Sequence, residues 1–318
     1  MENASANLLA PQIKSRGKRG FDRQRFKLNI PLFVMFAPII VYFVVFRYIP
    51  MFGLVIAFKN YNFTDGILGS PWVGLDNFKL LFSTPNMLRI LRNTFVLSAL
   101  QLVVGFPFPI LIALMIHEVR SRWFKNTVQT AVFLPHFLNW VIVGGIVVTI
   151  FAQETGIVNH IVRMIFGESY AFLYHPGSWM AIFVGSGIWK GAGWGAIIYL
   201  AALSATDHSL YEAASLDGAN KWRQIWHISL PSLRPVIVIQ LILSIGHIME
   251  VGFDQVYVLQ NSVVSDIAEV ISTWSYKMGI NGGQFSLATA IGFFESFTGL
   301  VLVLAANRIA RRYDEGLW

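Results

Sequence analysis

The side chains of this 318-residue sequence form no pattern typical of covalent or nucleotide chemistry. Cysteine is absent, which excludes a thiolate nucleophile, a disulfide framework and a cysteine-ligated metal. The phosphate loop G-x-x-x-x-G-K-[ST], the zinc motif H-E-x-x-H and the nucleophile turn G-x-S-x-G do not occur, and the seven histidines are scattered. We therefore expect no cofactor and no metal, and any ATP must be handled by another polypeptide.

Two charged residues, Lys190 and Glu295, stand out because each lies near the middle of a long apolar run. A charge in the bilayer core is costly, and such residues usually face a water path or the protein interior. Similar positions in their runs would let the two form a structural ion pair. Alternatively, one or both line a translocation path, where Lys190 could meet an acidic sugar such as a uronate.

Aromatic and polar side chains in the apolar runs are further candidates, because sugars pack their C–H faces on rings beside hydrogen-bonding groups. Tryptophan and tyrosine also form belts at membrane interfaces, and polar side chains often hold helices together. Glu250 and Asp254, four residues apart, share a helix face and predict a solvated outer face or a pathway mouth. The other pathway candidates are Trp140, Trp189, Trp194, Tyr199, Gln240 and His136.

The composition indicates that membrane-spanning elements carry these residues. The chain is 55% hydrophobic and only 13% charged, whereas soluble domains contain about 25% charged residues. This argues against a water-soluble enzyme, and the 14% of aromatic residues excludes collagen-like and disordered classes.

Six apolar stretches are long enough to cross about 30 Å of hydrocarbon as helices. The runs are continuously apolar, whereas a membrane barrel would alternate in and out. We predict an all-α polytopic membrane protein whose six-helix domain covers residues 29–312. The predicted spans are 29–50, 93–116, 128–151, 178–203, 233–257 and 285–307.

The placement of basic residues predicts the orientation. Segment 1–28 carries seven Lys and Arg residues, and placing it inside puts sixteen basic residues inside and seven outside. The positive-inside rule then places both termini, including the tail 313–318, in the cytoplasm. The net charge of +7 is explained without a nucleic-acid partner.

The longest cytoplasmic connection, residues 205–235, is named the elbow because its sequence predicts two helices joined by a turn. Ser209 and Glu212 have the spacing of a capping box, which predicts a helix start. Gly218 should end that helix, Asn220 should cap a second, and Pro231 should end the second. From these residues alone, the elbow is either a connector packed on the bundle or a docking element for a soluble partner.

The elbow resembles a known loop. Glu212-Ala213-Ala214, Gly218 and Ile228-x-Leu230-Pro231 are similar to the EAA loop in the membrane subunits of type I ABC importers. The wider sequence resembles the carbohydrate branch, and within it the LplB-type permeases for complex oligosaccharides. The segments that carry this wider resemblance are 133–137, 189–194 and 290–295, together with 211–235.

The resemblance implies a permease subunit in the bacterial inner membrane that imports a sugar or oligosaccharide and has no ATPase site of its own. It also implies a second permease subunit, two ATPase subunits and an extracytoplasmic solute-binding protein as partners. The coupling loop that docks on the ATPases would use Glu212, Ala213, Ala214, Asp217, Gly218 and Pro231.

Three alternatives stay open at this point. The first is a permease of the same family with another cargo, and the second is an ion-driven secondary transporter, which should show internal repeats. The third is a membrane enzyme, for which Asp207, Glu212 and Asp217 are the inner-loop candidates.

Overall fold

A computed structural model describes residues 23–313 and residue 316, and within them the regular structure is helical apart from one isolated bridge between Lys59 and Trp72. The chain divides into two compact units, Met1–Gly53 and Leu54–Trp318. In the first unit, helix α1 (Arg23–Phe43) continues through a π-helical turn at Val44–Tyr48 and a turn at Ile49–Met51. The sequence of α1 from Ile30 onward is apolar on every side, as suits a membrane span.

The second unit contains long helices joined by short ones. The short helices Gly66–Gly69, Asp76–Ser83, Ser265–Ala268 and Ile271–Tyr276 lie in connections. The longer helices are α2 (Met87–Glu118), α3 (Arg122–Phe133), α4 (Trp140–Phe151), α5 (Ile157–Phe166), α6 (Pro176–Ser204), α7 (His208–Leu216), α8 (Lys221–Gly246), α9 (Phe253–Leu259) and α10 (Phe285–Ala310). Five helical runs in the described range are long and apolar enough to cross a membrane, or six if the bent α3–α4 pair is one span.

The predicted third span, 128–151, is wrong as a continuous helix. The runs Arg122–Phe137 and Trp140–Phe151 meet at an angle of 102°. Leu138 and Asn139 are extended, and the Asn139 side chain accepts a hydrogen bond from the amide of Ile142 at 2.9 Å. Asn139 therefore caps a new helix two residues after the first run ends, which continuous hydrophobicity does not reveal.

The predicted fifth span, 233–257, is wrong at both ends. Helix α8 begins at Lys221 and ends at Gly246, and a non-helical turn separates it from α9. Pro231 does not end the helix, because the preceding π-helical turn, Ile225–Ser229, bonds its C-cap amide to the carbonyl five residues back. A π-helical turn shifts each hydrogen-bond acceptor one residue further back than in an α-helix. Here the shift comes just before the proline, which has no N–H to donate.

Helix α6 lies at the centre of the packing. Near its start, Trp179 and Phe183 are buried with Leu97 of α2, and the Trp179 indole donates to the carbonyl of Leu259 at 2.9 Å. Near its end, Tyr199 is buried in a second cluster with Ala113, Leu114, Ala196, Leu203 and Leu233. These two clusters hold α2, α6 and α8 together around the middle of α6.

Candidate functional site

A cavity of about 570 Å³ lies between α2, α6 and the end of α8, close to the middle of the first two helices. The π-helical turn Gln101–Gly105 of α2 forms part of its wall. Gly187 and Gly191 of α6 form the wall that faces this turn. Because glycine has no side chain, the backbone of α6 borders the cavity there and leaves it open. Its other principal lining residues are Ser98, Trp140, Ser244, His247, Glu250 and Gln255.

A chain of amide hydrogen bonds fixes one wall of this cavity. The Gln101 side-chain amide donates to Gln255 Oε1 at 3.3 Å, and the Gln255 amide donates to the carbonyl of Phe183 at 2.6 Å. A Cβ atom at Gly187 would lie 2.2 Å from Gln101 Nε2, so only glycine lets the amide approach α6 this closely. Ser98 Oγ is buried without a hydrogen-bond partner in the structure.

The opposite wall carries an ionisable pair. His247 Nδ1 lies 2.9 Å from a carboxylate oxygen of Glu250, within the turn that follows α8. No lysine or arginine lines the cavity among the residues that the structure describes. Amides, hydroxyls, an imidazole and the Trp140 ring can hydrogen-bond and stack on a sugar, whereas they offer no fixed positive charge.

Lys190 lies at the break between α3 and α4. Its Nζ donates to the carbonyl of His136 at 2.8 Å and lies 5.6 Å from the centre of the Trp140 ring. The structure records no ion pair between Lys190 and Glu295. The predicted pair is therefore wrong, and a carbonyl freed by the helix break satisfies the ammonium group instead.

The aromatic rings around this break stack on each other. The Trp194 ring stacks on the His136 ring with centres 4.4 Å apart, and Phe137 meets Trp194 edge-on. A Cβ at Gly193 would lie 2.1 Å from the carbonyl oxygen of Val132. The segments 133–137 and 189–194, separate in sequence, thus pack directly against each other.

Glu295 lines a different, open cavity of about 490 Å³ between α10, α9 and the Ile271–Tyr276 helix. Its Oε1 is buried and has no hydrogen-bond partner in the structure. Phe253 and Tyr276, with ring centres 5.2 Å apart, line the same cavity. Glu295 is thus an unpaired acceptor beside aromatic rings.

The remaining predicted pathway residues lie elsewhere. Trp189 lines an apolar cavity between α4 and α6, and Tyr199 is 3% exposed within the second core cluster, which gives it a packing role. Gln240 is half-buried in α8 and does not line the Gln101 cavity. Of the eight predicted pathway residues, only Trp140 lines that cavity.

Sequence reasoning missed the central polar residues of the cavity. The pathway candidates drawn from the sequence do not include Gln101, His247, Gln255 or Ser98. In the sequence, Gln255 comes just after Glu250 and Asp254, near the end of the predicted fifth span. An amide side chain next to two acidic residues there suggests the water-exposed end of a helix. Only the turn after α8, which folds α9 back toward α6, makes Gln255 central.

The elbow has the predicted helix–turn–helix form, but the residue that caps its first helix differs and Pro231 does not end its second helix. Asp207, and not Ser209, caps α7, since its carboxylate accepts the Ser209 amide at 2.9 Å. That hydrogen bond lowers the pKa of the Asp207 carboxyl below its usual value. Gly218, with φ of +79°, ends α7, and Asn220 caps α8 by accepting the Arg223 amide at 3.0 Å, as predicted.

A polar network ties the elbow to the end of α2. Lys221 Nζ lies 2.9 Å from a Glu118 carboxylate oxygen and donates to Gln224 Oε1 at 3.2 Å. The buried Gln224 amide donates in turn to Ser215 Oγ at 2.8 Å and to the carbonyl of Ala219 at 3.2 Å. We name Glu118, Lys221, Gln224 and Ser215 the elbow network, which joins α2, α7 and α8.

The outer surface of the elbow is apolar and open. Leu216 is 90% exposed, and Trp222 and Trp226 project one turn apart on α8. Of the four residues Trp222, Ile225, Trp226 and Ser229, which are three or four positions apart, only the two tryptophans are exposed, because Ser229 is buried and Ile225 packs on the second core cluster. Glu212 is exposed beside this surface.

The family comparison matches residues 105–318 to the family described as binding-protein-dependent transport system inner membrane component. The chain is 45% identical over 288 residues to the polygalacturonan/rhamnogalacturonan transport system permease protein YteP of Bacillus subtilis (strain 168), covering 90% of each chain. It is 42% identical over 288 residues to protein LplB of the same organism, covering 90% of this chain and 91% of LplB.

Two solved structures of ABC transporters are also similar to this chain. One is the crystal structure of a bacterial ABC transporter involved in the import of the acidic polysaccharide alginate, with a TM-score of 0.83, 42% identity and coverage of 91% of this chain and 98% of that chain. Another is a bacterial alginate ABC transporter in complex with an alginate pentasaccharide-bound periplasmic protein, with a TM-score of 0.83, 41% identity and coverage of 92% and 98%. The all-helical membrane fold and the family predicted from the elbow motif are confirmed.

Proposed function

The chain belongs to the family of binding-protein-dependent transport system inner membrane components, and from this premise we propose that it passes an acidic oligosaccharide through the Gln101 cavity. As a permease subunit of an ABC importer it performs transport. The cavity carries the proposal, because it combines amides, hydroxyls and the Trp140 ring near the middle of α2 and α6. The family leaves the ion-driven transporter and the membrane enzyme without support.

The names of the relatives favour an acidic cargo. YteP is named for polygalacturonan and rhamnogalacturonan, and the similar structures belong to an importer of alginate. Glu250 is the charged residue in the lining described here, and Lys190 is already hydrogen-bonded to His136. This chain therefore contacts the hydroxyl groups and the ring face of the sugar, and the described lining of its Gln101 cavity supplies no fixed positive charge for the carboxylate.

The test replaces Gln101 by leucine and measures uptake of labelled acidic oligosaccharides, derived from galacturonan and from alginate, and of a labelled neutral oligosaccharide of similar length. Loss of one hydrogen bond costs about 0.5–1.5 kcal/mol, so uptake should fall by a factor of about 2 to 13. The matched control is Gln153→Leu, the same change at an exposed position in the turn after α4. Unchanged uptake by a fully assembled Gln101→Leu transporter would contradict the pathway, and uptake of neutral but not acidic oligosaccharides would contradict the cargo.

The elbow supports a second part of the proposal, namely coupling to two ATPase subunits. Leu216, Trp222 and Trp226 form an exposed apolar surface, which usually marks an interface. Glu212 lies next to it, and Gly218 sets the angle between the two helices through its left-handed backbone. The proposed coupling residues are Glu212, Ala213, Ala214, Asp217, Gly218 and Pro231.

The remaining partners follow from the family and from charge. A second, similar permease completes the pore, and an extracytoplasmic binding protein delivers the sugar on the side opposite the elbow. The presence of a periplasmic protein in the similar alginate transporter complex supports that delivery. The basic segment 1–28 and the elbow lie in the cytoplasm, in agreement with the inside excess of Lys and Arg.

A further inference from the structure

Helix α5 carries an apolar surface that the other residues described by the structure do not cover. It is ten residues long, about 15 Å, and it lies between α4 and the start of α6. Its exposed side chains include Ile157, Ile161, Met164 and Ile165, which are 52–72% exposed. We infer that α5 lies in the membrane interface opposite the elbow, with this apolar stripe embedded in lipid.

The stripe is separate from the face that α5 packs on the protein. At 100° per residue, its four residues cover about 100° of the helix surface. Val158, Asn159 and Val162 occupy the inward arc and are buried or half-buried. His160 and Arg163 are exposed on the remaining arc, so apolar, basic and inward faces follow one another around the helix.

Hydrogen bonds fix which way the stripe points. Asn159 is fully buried, and its amide donates to the carbonyl of Ala152 at 3.0 Å while its oxygen accepts the Tyr170 amide at 2.7 Å. Arg163 donates to the carbonyl of Glu154 at 3.1 Å. Helix α5 therefore cannot roll to bury the stripe without breaking bonds to the loops on both sides of it.

Lipid is the occupant that the surroundings favour. Only five residues separate α5 from Phe151, the end of the strongly apolar α4, so the stripe continues the lipid-facing surface of the spans. Amphipathic helices with a basic face lie in the interface with their apolar face about 5–10 Å deep. Tyr170 and Tyr174, which are 43% and 47% exposed, follow α5 and suit an aromatic belt at the same level.

Site-directed spin labelling tests this inference, and the absence of cysteine in the chain means that it contributes no background label. Nitroxides are placed at Ile161→Cys and Met164→Cys in the stripe and at His160→Cys on the basic arc, in the assembled transporter in lipid nanodiscs. All three positions are exposed, so the labels do not disturb packing. The measurement is collision with oxygen, which concentrates in lipid, and with a water-soluble nickel chelate.

The stripe labels should collide with oxygen several-fold more than with nickel, and the His160 label should show the reverse ratio. Equal nickel access at all three positions would show that the stripe faces water and would overturn the inference. Low access to both reagents at Ile161 and Met164 would show a protein partner, such as the second permease, and would overturn it equally. The result does not depend on cargo or on transport.

Discussion

Single glycines determine how closely α6 approaches its neighbours. Gly187 leaves space for the Gln101 amide, and Gly193 leaves space for the Val132 carbonyl of α3. At both positions a Cβ atom would lie closer than 2.3 Å to an atom of the neighbouring helix. The two glycines are six residues apart, so these contacts lie about 120° apart around α6, with the cavity wall on one side and the helix break on another.

We expect Gly193→Ala to destabilise the assembled permease by about 1–3 kcal/mol, the usual cost of overpacking. The backbone of Val132 cannot rotate away as a flexible side chain could, so α3 must move. Thermal unfolding of the purified transporter measures the effect as a lower melting temperature. The matched control is Gly185→Ala in the same helix, where a Cβ meets nothing within 4 Å and alanine is the better helix former. Equal melting temperatures for the two variants would contradict the close approach.

The position of Lys190 in an apolar run identifies it as an unusual residue but does not identify its partner. Its charge in an apolar run predicts a buried, functional or paired group. The partner is the backbone carbonyl of His136, which accepts this bond because the helix stops there. Such a partner cannot be predicted from the types of the surrounding side chains.

At the scale of elements, the elbow network connects the end of α2 to the start of α8. Both helices also contribute to the Gln101 cavity, through Gln101 and through Ser244. A displacement of α7 therefore acts through Gln224 and Lys221 on the helix that carries Gln101. The same two helices, α2 and α8, thus contact the elbow network at one end and line the Gln101 cavity further along.

We predict that Glu118→Lys and Lys221→Glu each lower binding-protein-stimulated ATP hydrolysis, and that the double variant recovers much of the loss. The pair is partly exposed, so its interaction energy should be no more than about 1 kcal/mol. A double-mutant cycle on the stimulated rate isolates this term. The control is the same charge exchange at Asp76 and Lys79, a pair at 2.8 Å that is more exposed and far from the elbow in sequence. Additive effects at Glu118 and Lys221 would argue against transmission through the network.

At the scale of the whole molecule, the chain is a permease subunit of an ABC importer, and its proposed sugar path and proposed coupling surface share two helices. Helices α2 and α8 line the Gln101 cavity and also meet at the elbow, where Lys221 of α8 pairs with Glu118 of α2. This arrangement suits a subunit whose path changes state when a partner moves its cytoplasmic end.

We expect Glu212→Lys to abolish co-purification of the ATPase subunits or to uncouple ATP hydrolysis from uptake. The substitution reverses the charge at the edge of the exposed apolar surface formed by Leu216, Trp222 and Trp226. Purification of the tagged permease from membranes, followed by quantification of the ATPase, measures the effect. Glu168→Lys, a charge reversal at an exposed site in the connection between α5 and α6, is the control and should retain both ATPase and uptake. Full retention by Glu212→Lys would contradict docking at the elbow.

The sequence by itself determined the membrane environment, the helical class, the elbow and the family, because these depend on hydropathy over about 20 residues and on local spacing. Gly218 and Asn220 act where the sequence placed them, since caps depend on neighbours a few residues away. Only the tertiary structure decided where α3 breaks, where α8 ends and which polar residues meet. Gln101, Gln255 and Phe183 are joined by bonds between residues 72 to 154 positions apart, and packing alone brings such residues together.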